Sequence, residues 1–224
     1  MTTDFSRTLT LIGAEAFEKL KGAHVMLFGV GGVGSFAAEA VARAGVGRIT
    51  LIDSDVVAPS NLNRQLIALH STIGMAKAEA ARRRILDINP NCRVTAVCMY
   101  YDENLPLDLH CDYIIDAIDS VPAKLHLLTS ATQLGVPVIS CMGTGNKVHP
   151  EMLQMADISK TSVCPLAKKM RVELRKRGIS HLPVVYSQEI PLVKTTPPSS
   201  ISFVPSAAGL LAASCAVRTI AGLK

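Results

Sequence analysis

The run GVGGVG at residues 29–34 constrains the fold of this chain more than any other stretch. It follows AHVMLFG (23–29), a short apolar segment rich in strand formers, and opens onto residues 33–44, which are Ala-rich and helix-like. A strand that turns on glycines directly into a helix aims backbone N–H groups and the positive end of a helix dipole at one point, where an anion can sit. Asp53 closes the next apolar segment, RITLID (48–53), where a carboxylate accepts hydrogen bonds from ribose hydroxyls. On these features alone the expected ligand is a dinucleotide such as NAD.

The same alternation continues. Residues 74–88 carry Ala, Glu, Lys and Arg at helical spacing and stop at Asn89-Pro90, a pair that ends helices. RVTAVCMYY (93–101), YIIDAID (113–119) and VPVISCMG (136–143) read as strands, with a helix near residues 123–134. Strands alternating with helices make βαβ units and a parallel sheet covered on both faces. Beyond Gly145 the pattern changes to strands at MLQMADI (152–158) and VVYSQEI (184–190), a basic amphipathic helix at 165–177 stopped by Gly178, and a final helix. The Pro/Ser/Thr-rich loop PLVKTTPPSS (191–200) is the segment expected to be disordered. The expected fold class is α/β: a Rossmann-like, mostly parallel sheet with helices on both faces, extended by a small C-terminal strand/helix region. No internal repeat or linker divides residues 1–224, so a single domain is expected.

With 224 residues, 49% of them hydrophobic and 18% charged, the chain can bury a sizeable core. A net charge of +5 permits a polyanionic partner without requiring one. The N-terminal MTTDFSRTLT lacks the basic-then-apolar pattern of a signal peptide. The apolar stretch at 201–223 is broken by Pro205, several Ser and Arg218, so it reads as a buried helix rather than a membrane span. A cytoplasmic protein with no membrane partner is expected. The six cysteines are dispersed with no CxxC pair, and no structural zinc site follows from their spacing. Cys92, Cys98, Cys111, Cys141 and Cys215 read as buried reduced thiols. Cys164, in a loop-like basic setting near Lys168 and Lys169, is the one placed for chemistry.

The loop after Asp53 disturbs the NAD reading. DSDVVAPSNLNRQ (53–65) adds Asp55, Asn61, Asn63, Arg64 and Gln65. Lys77 lies one helical turn into the next helix, behind Gly74, and Asp119 ends the strand YIIDAID, at the carboxyl edge where ligands of such sheets bind. Singly these read as a surface charge, a solvated helix residue and a helix cap. Together they suit a triphosphate: Arg64 and Lys77 neutralise the phosphates and Asp119 holds Mg²⁺. Hydride transfer has no use for such charges.

In order and spacing, GVGGVG, DSDVVxxSNLNRQ, GMAK and DAIDS resemble the ubiquitin-activating, ThiF/MoeB/HesA-like adenylating enzymes over roughly residues 5–145. The resemblance implies that Gly29, Gly31, Gly34 and Asp53 bind ATP, that Arg64, Gln65 and Lys77 contact its phosphates, and that Asp119 binds magnesium. Asp55 and Asn61 match supporting loop positions. The segment FSRTLTLIG resembles the family's N-terminal Y-x-R-Q element, with Thr8 in place of Gln; it implies that Arg7 reaches the ATP of a neighbouring subunit in a homodimer. Residues 1–145 then form the nucleotide-binding part and 146–224 the substrate and dimer side.

Members that activate ubiquitin-like proteins usually carry two CxxC zinc pairs and a crossover-loop cysteine, none of which this chain has. MGTGNKVHPEMLQMADISKT, CPLAKKMRVELRKRGI, VVYSQEIP and SFVPSAAGLLAAS instead resemble the tRNA threonylcarbamoyladenosine dehydratase branch. That implies an ATP-dependent cyclising ligase. The free threonine carboxylate of the modified adenosine attacks the α-phosphorus, and a nucleophile within the modification then closes a ring and expels AMP. An ionised carboxylate needs no general base, so positioning and charge neutralisation by Mg²⁺, Arg64, Lys77 and Arg7 carry the catalysis. Some dehydratases carry a cysteine in an insertion after the basic helix; here that region is short and the chain stops at Lys224. A sulfur-transfer protein is an implied further partner. Lys168, Lys169, Arg171, Arg175, Lys176 and Arg177 on the basic helix are expected to meet tRNA phosphates. The competing readings are an adenylyltransferase acting on the C-terminus of a ubiquitin-like sulfur carrier, an NAD(P)-dependent oxidoreductase, and a non-catalytic scaffold.

Overall fold

A computed structural model describes residues 4–105 and 107–223; Lys224 lies outside the described residues. The strands are β1 (His24–Phe28), β2 (Arg48–Ile52), β3 (Arg93–Val97), β4 (Tyr113–Asp116), β5 (Val138–Cys141), β6 (Leu153–Asp157) and β7 (Pro183–Ser187). They form one seven-stranded sheet in the order β3-β2-β1-β4-β5-β7-β6. All neighbours are parallel except β6, which runs antiparallel to β7 at the edge. The C-terminal strands therefore extend the main sheet. The central strands are apolar on both faces, as a sheet covered on both sides requires, and nearly every residue of β1, β2, β4 and β5 is buried.

Two cores result. On one face, α3 (Gly34–Arg43), α4 (Lys77–Ile88) and α7 (Phe203–Ala221) cover Val25, Leu27, Ile49, Leu51 and Ile115. On the other, α5 (Val121–Gln133) and α6 (Pro165–Arg175) enclose Met26, Phe28, Ile114, Leu128 and Met170. By length and composition α7 is apolar enough to cross a membrane. Its Val204, Ala208, Ala212, Ala213 and Ala216 are instead buried in the first core, against α3 and the sheet. The contact with α3 is close: a Cβ at Gly209 of α7 would collide with the Val33 carbonyl and meet the Ala37 amide at 3.1 Å.

The sequence reading lacked two elements, α1 (Ser6–Ile12) and α2 (Ala14–Gly22), which turn at Gly13 and pack through Phe5 on Phe17. It also extended the basic helix to 177. The helix stops at Arg175 and leaves Lys176 and Arg177 in the turn that Gly178 completes at φ +79°.

Candidate nucleotide-binding site

The carboxyl ends of β1, β2, β4 and β5 open into a cavity of about 680 Å³. Gly29, Gly31, Asp53, Asp55, Asn61, Arg64, Gln65, Lys77 and Asp119 all line it. Gly29 holds φ +84°, and a Cβ there would sit 2.6 Å from the Ala117 carbonyl oxygen, so β1 and the chain after β4 approach each other only because it is glycine. Gly34 is outside the lining; a Cβ there would collide with the Gly29 carbonyl, so its role is to let α3 fold back on the strand. The N-terminus of α3 is thus presented to the cavity through Gly31, Gly32 and Val33.

Asp53 is fixed before any ligand arrives. One carboxylate oxygen accepts the Val30 N–H at 2.6 Å and the other accepts the Asp55 N–H at 2.8 Å. Burial pushes its carboxyl above the usual range, and the two amides only partly offset this. Asn61 is a loop brace: its Oδ1 accepts the Ala58 N–H at 3.0 Å. Arg64 lies across the loop and donates to the Ser60 carbonyl and to Asn63 Oδ1, both at 2.9 Å. Gln65 is buried, and its Oε1 has no hydrogen-bond partner among the described residues. A buried amide oxygen without a donor costs about 1–3 kcal/mol, so this orphan marks a place where a ligand or water donates.

Asp55, which the sequence leaves as either loop support or an acid near magnesium, is the counter-ion of Lys77, with Nζ to Oδ2 at 2.6 Å. The lysine side chain is 8% exposed and the aspartate 65%, so the charge is held inside while its partner faces solvent. Lys77 is the first residue of α4, not one turn into it. Residues 74–76 are used instead in a short antiparallel bridge to Val56 and Val57: the Gly74 N–H donates to the Val57 carbonyl and the Val57 N–H to the Met75 carbonyl, both at 2.8 Å. This zips the 53–65 loop onto the start of α4.

Asp119 also sits differently from expectation. β4 ends at Asp116, and Asp119 lies on the exposed rim beyond it. The chain curls off the sheet because Asp116 Oδ1 accepts the Ile118 N–H at 3.1 Å. Below that curl is an ion pair absent from the sequence reading. Lys124 Nζ meets Asp116 Oδ2 at 2.6 Å with both side chains fully buried, and Ser140 Oγ donates to the same oxygen at 2.6 Å. The only sequence signal was an acid inside an apolar strand, which a buried lysine one helix later could neutralise.

Arg7 is on α1, exposed, and does not line this cavity. α1 borders a second cleft at the opposite edge of the sheet, where Phe5 and Leu9 face the first residues of β1, β2 and β3, His24, Arg48 and Arg93. The cysteines depart from expectation in both directions. Cys164 is buried at 3% exposure beneath the start of α6, which removes it as a surface nucleophile, whereas Cys98 is exposed. On the basic helix, Arg171 is held by the Thr161 carbonyl and hydroxyl at 2.8 and 2.6 Å, and Lys176 and Arg177 pair with Glu173. Lys168, Lys169 and Arg175 remain as exposed cations with no ion pair among the described residues; Lys168 and Lys169 lie near the start of α6, close to Leu166, which lines the cavity, and Arg175 at its far end.

A glycine-turned α/β sheet whose carboxyl edge carries a ribose-type carboxylate beside buried and half-buried cations is a nucleotide-binding fold, and the chain belongs to the ThiF family, whose model it matches over residues 5–224. Within that family it is 46% identical over 233 residues to the tRNA threonylcarbamoyladenosine dehydratase of Bacillus subtilis, covering 94% of this chain and 92% of that protein. The dehydratase of the same name from Escherichia coli is 42% identical over 76% of this chain, which spans 65% of that relative's length. The crystal structure of E. coli tRNA N6-threonylcarbamoyladenosine dehydratase in complex with ATP superposes with a TM-score of 0.92 at 36% identity, over 97% of this chain and 93% of that one.

Proposed function

We propose that this protein is an ATP-dependent tRNA threonylcarbamoyladenosine dehydratase that adenylates the carboxylate of the modified nucleoside and cyclises it with release of AMP. The observation that carries the reading is the convergence on one cavity of the α3 N-terminus, Asp53, the partnerless Gln65 Oε1, Arg64 and Lys77, in a chain so similar to dehydratases. That set fits ATP: a carboxylate for ribose, the Gln65 oxygen for a hydroxyl, amino or water donor, backbone amides and cations for phosphates, and an apolar wall of Phe28, Ile52, Met99 and Ile118 suited to a purine face.

The attacking carboxylate is already ionised, so its own oxygen forms the new bond to the α-phosphorus while the bond to pyrophosphate breaks. Arg64 and Lys77 offset the charge that builds on the departing phosphates. In the second step an atom of the same modification attacks the activated carbonyl and AMP leaves, for a net loss of water. Magnesium, when bound, supplies further charge neutralisation. Asp119 would hold it from the cavity rim, with phosphate oxygens and water completing its shell. Among the described residues no group of three or more His, Cys, Asp or Glu could form a metal site, which suits an ion carried mainly by the nucleotide.

On this reading Arg7, remote from its own cavity, serves the cavity of a second copy, and the working unit is a homodimer. Lys168, Lys169 and Arg175 meet tRNA phosphates at the cavity mouth, and the protein acts in the cytoplasm. Burial of Cys164 takes away the chain's own candidate for exchange with a sulfur-transfer protein.

The test is mass spectrometry of tRNA nucleosides after incubation of threonylcarbamoylated tRNA with ATP and the protein. A product 18 Da lighter, with AMP formed and magnesium required, is expected, and Asp119→Ala should abolish both. AMP release stimulated by a ubiquitin-like carrier protein but not by modified tRNA would replace the dehydratase reading with the carrier-activating one.

A further inference from the structure

The loop at 191–200 is pinned across the nucleotide cavity. Pro197, Pro198 and Ser200 line that cavity together with Gly32 and Arg64. Two asparagines hold it there. Asn63, in the 53–65 loop, donates from Nδ2 to the Ser200 carbonyl at 3.0 Å. Asn146, in the loop after β5, is the main post. Its Oδ1 accepts the Ser199 N–H at 2.7 Å and the Thr195 hydroxyl at 2.9 Å. Its backbone N–H donates to the Ser199 carbonyl at 2.7 Å, and its own carbonyl accepts the Leu192 N–H at 2.8 Å. Both ends of the strap therefore hang from one residue.

The post itself is rigid. Asn146 holds a left-handed φ of +62°, a conformation that Asn adopts far more readily than branched residues. Beside it, buried Lys147 donates to the Gly143 carbonyl at 2.9 Å. The buried carboxylate of Glu189 accepts the Val148 and His149 N–H groups at 2.8 and 2.9 Å. Strap and post touch without slack, since a Cβ at Gly145 would lie 2.6 Å from Pro198 Cβ.

An acyl-adenylate is destroyed by water: the water oxygen attacks the acyl carbon, the acyl–oxygen bond to AMP breaks, and the carboxylate is regenerated at the expense of one ATP. Enzymes that form such intermediates gain by excluding water from the site. We propose that Asn146 is a positioning residue that holds the 191–200 strap over the phosphate end of the cavity, where it keeps water from the activated carboxylate until the ring closes. This rests on the dehydratase reading, and deepens it by naming the part that couples ATP use to product.

The experiment compares the wild type with Asn146→Gly, which permits the same backbone φ but removes the acceptor, and Asn146→Asp, which keeps both. Asn63→Ala is a second, independent release of the strap. Two readouts are taken: trypsin cleavage after the exposed Lys194 within the strap, and moles of AMP formed per mole of cyclised nucleoside. Asn146→Gly is expected to be cut at Lys194 on the order of tenfold faster, as befits loss of two hydrogen bonds. Its AMP-to-product ratio should rise from near one to several, and Asn146→Asp should match the wild type in both. A faster cut at Lys194 with an unchanged ratio would overturn the proposal, as would an unchanged cut in both Asn146→Gly and Asn63→Ala. Wild-type protein that makes no cyclised nucleoside at all would instead refute the dehydratase reading.

Discussion

Replacing Lys124 by Met tests the buried ion pair beneath the site. Methionine is close to lysine in length and removes the charge together with the ammonium donors to Asp116 and Ser140. In the native chain Lys124 and Asp116 are both 0% exposed and 2.6 Å apart, so neither is screened by water. After the substitution the carboxylate keeps two neutral donors, the Ser140 hydroxyl and the Ile118 N–H, but loses its counter-charge. Breaking one side of such a pair costs about 3–5 kcal/mol, far more than the net worth of the intact pair. For a domain of this size about 2–4 °C is lost per kcal/mol, so the melting temperature should fall by roughly 6–20 °C. Urea denaturation gives the free energy, with an unchanged m-value showing that only stability has moved. The double variant Asp116→Asn, Lys124→Met carries no buried charge and should recover most of the loss, a strongly non-additive cycle. If Lys124→Met lost less than about 1 kcal/mol, or the double variant lost the sum of the two singles, the pair would not be the anchor described. Because Asp116 also shapes the Ala117–Asp119 curl, nucleotide affinity should drop with stability in Lys124→Met and return in the double variant.

Two further outcomes concern the basic helix and the ribose carboxylate. Changing Lys168, Lys169 and Arg175 together to Ala should weaken tRNA binding and flatten the slope of log K against log salt by about 2–3, roughly 0.7–0.9 for each phosphate left without its cation. Arg171→Ala should instead register mainly in stability, since Arg171 is engaged with Thr161; filter binding across a salt series separates the two. Asp53 supplies the pH dependence. Its folded carboxyl is held above the ordinary value by burial, so its share of stability is present at acid pH and is lost as pH rises through that raised value. Nucleotide binding needs the ionised form. ATP affinity, read by calorimetry, should therefore weaken on acidification at a pH above the usual aspartate range, and Asp53→Asn should bind weakly with that step gone.

Strands and the cavity-lining polar loop at 53–65 are legible because each leaves a local mark: a short apolar run between turn residues, or polar side chains crowded beside an apolar strand. The start of α4 was misplaced because 74–76 are captured by Val56 and Val57, a tertiary bridge that helix propensity does not register. Lys124 left no mark in the sequence, since nothing local says that its helix buries that position against a strand acid. The 191–200 strap looked disordered on composition, and what orders it is two asparagines 49 and 137 positions away from their partners. α1 buries no residue fully, and α2, whose Ala16, Phe17 and Leu20 are buried at helical spacing, is only nine residues long. Charged neighbours single out Cys164, whereas exposure is set by packing: Cys164 is buried at the start of α6, and Cys98 lies just past the last residue of an edge strand.

The close seating of α7 has a genetic consequence. Pro205 touches Gly32, and Gly209 lies flat against the Val33 carbonyl, so the glycine turn that lines the cavity is propped from behind by a helix some 170 positions further along. A stop codon or frameshift before Pro205, at the start of the 19-residue α7, would remove the prop and leave every motif residue in place. Such an allele would look intact to any inspection of GVGGVG or DSDVV, and its gene product would have lost its grip on the nucleotide.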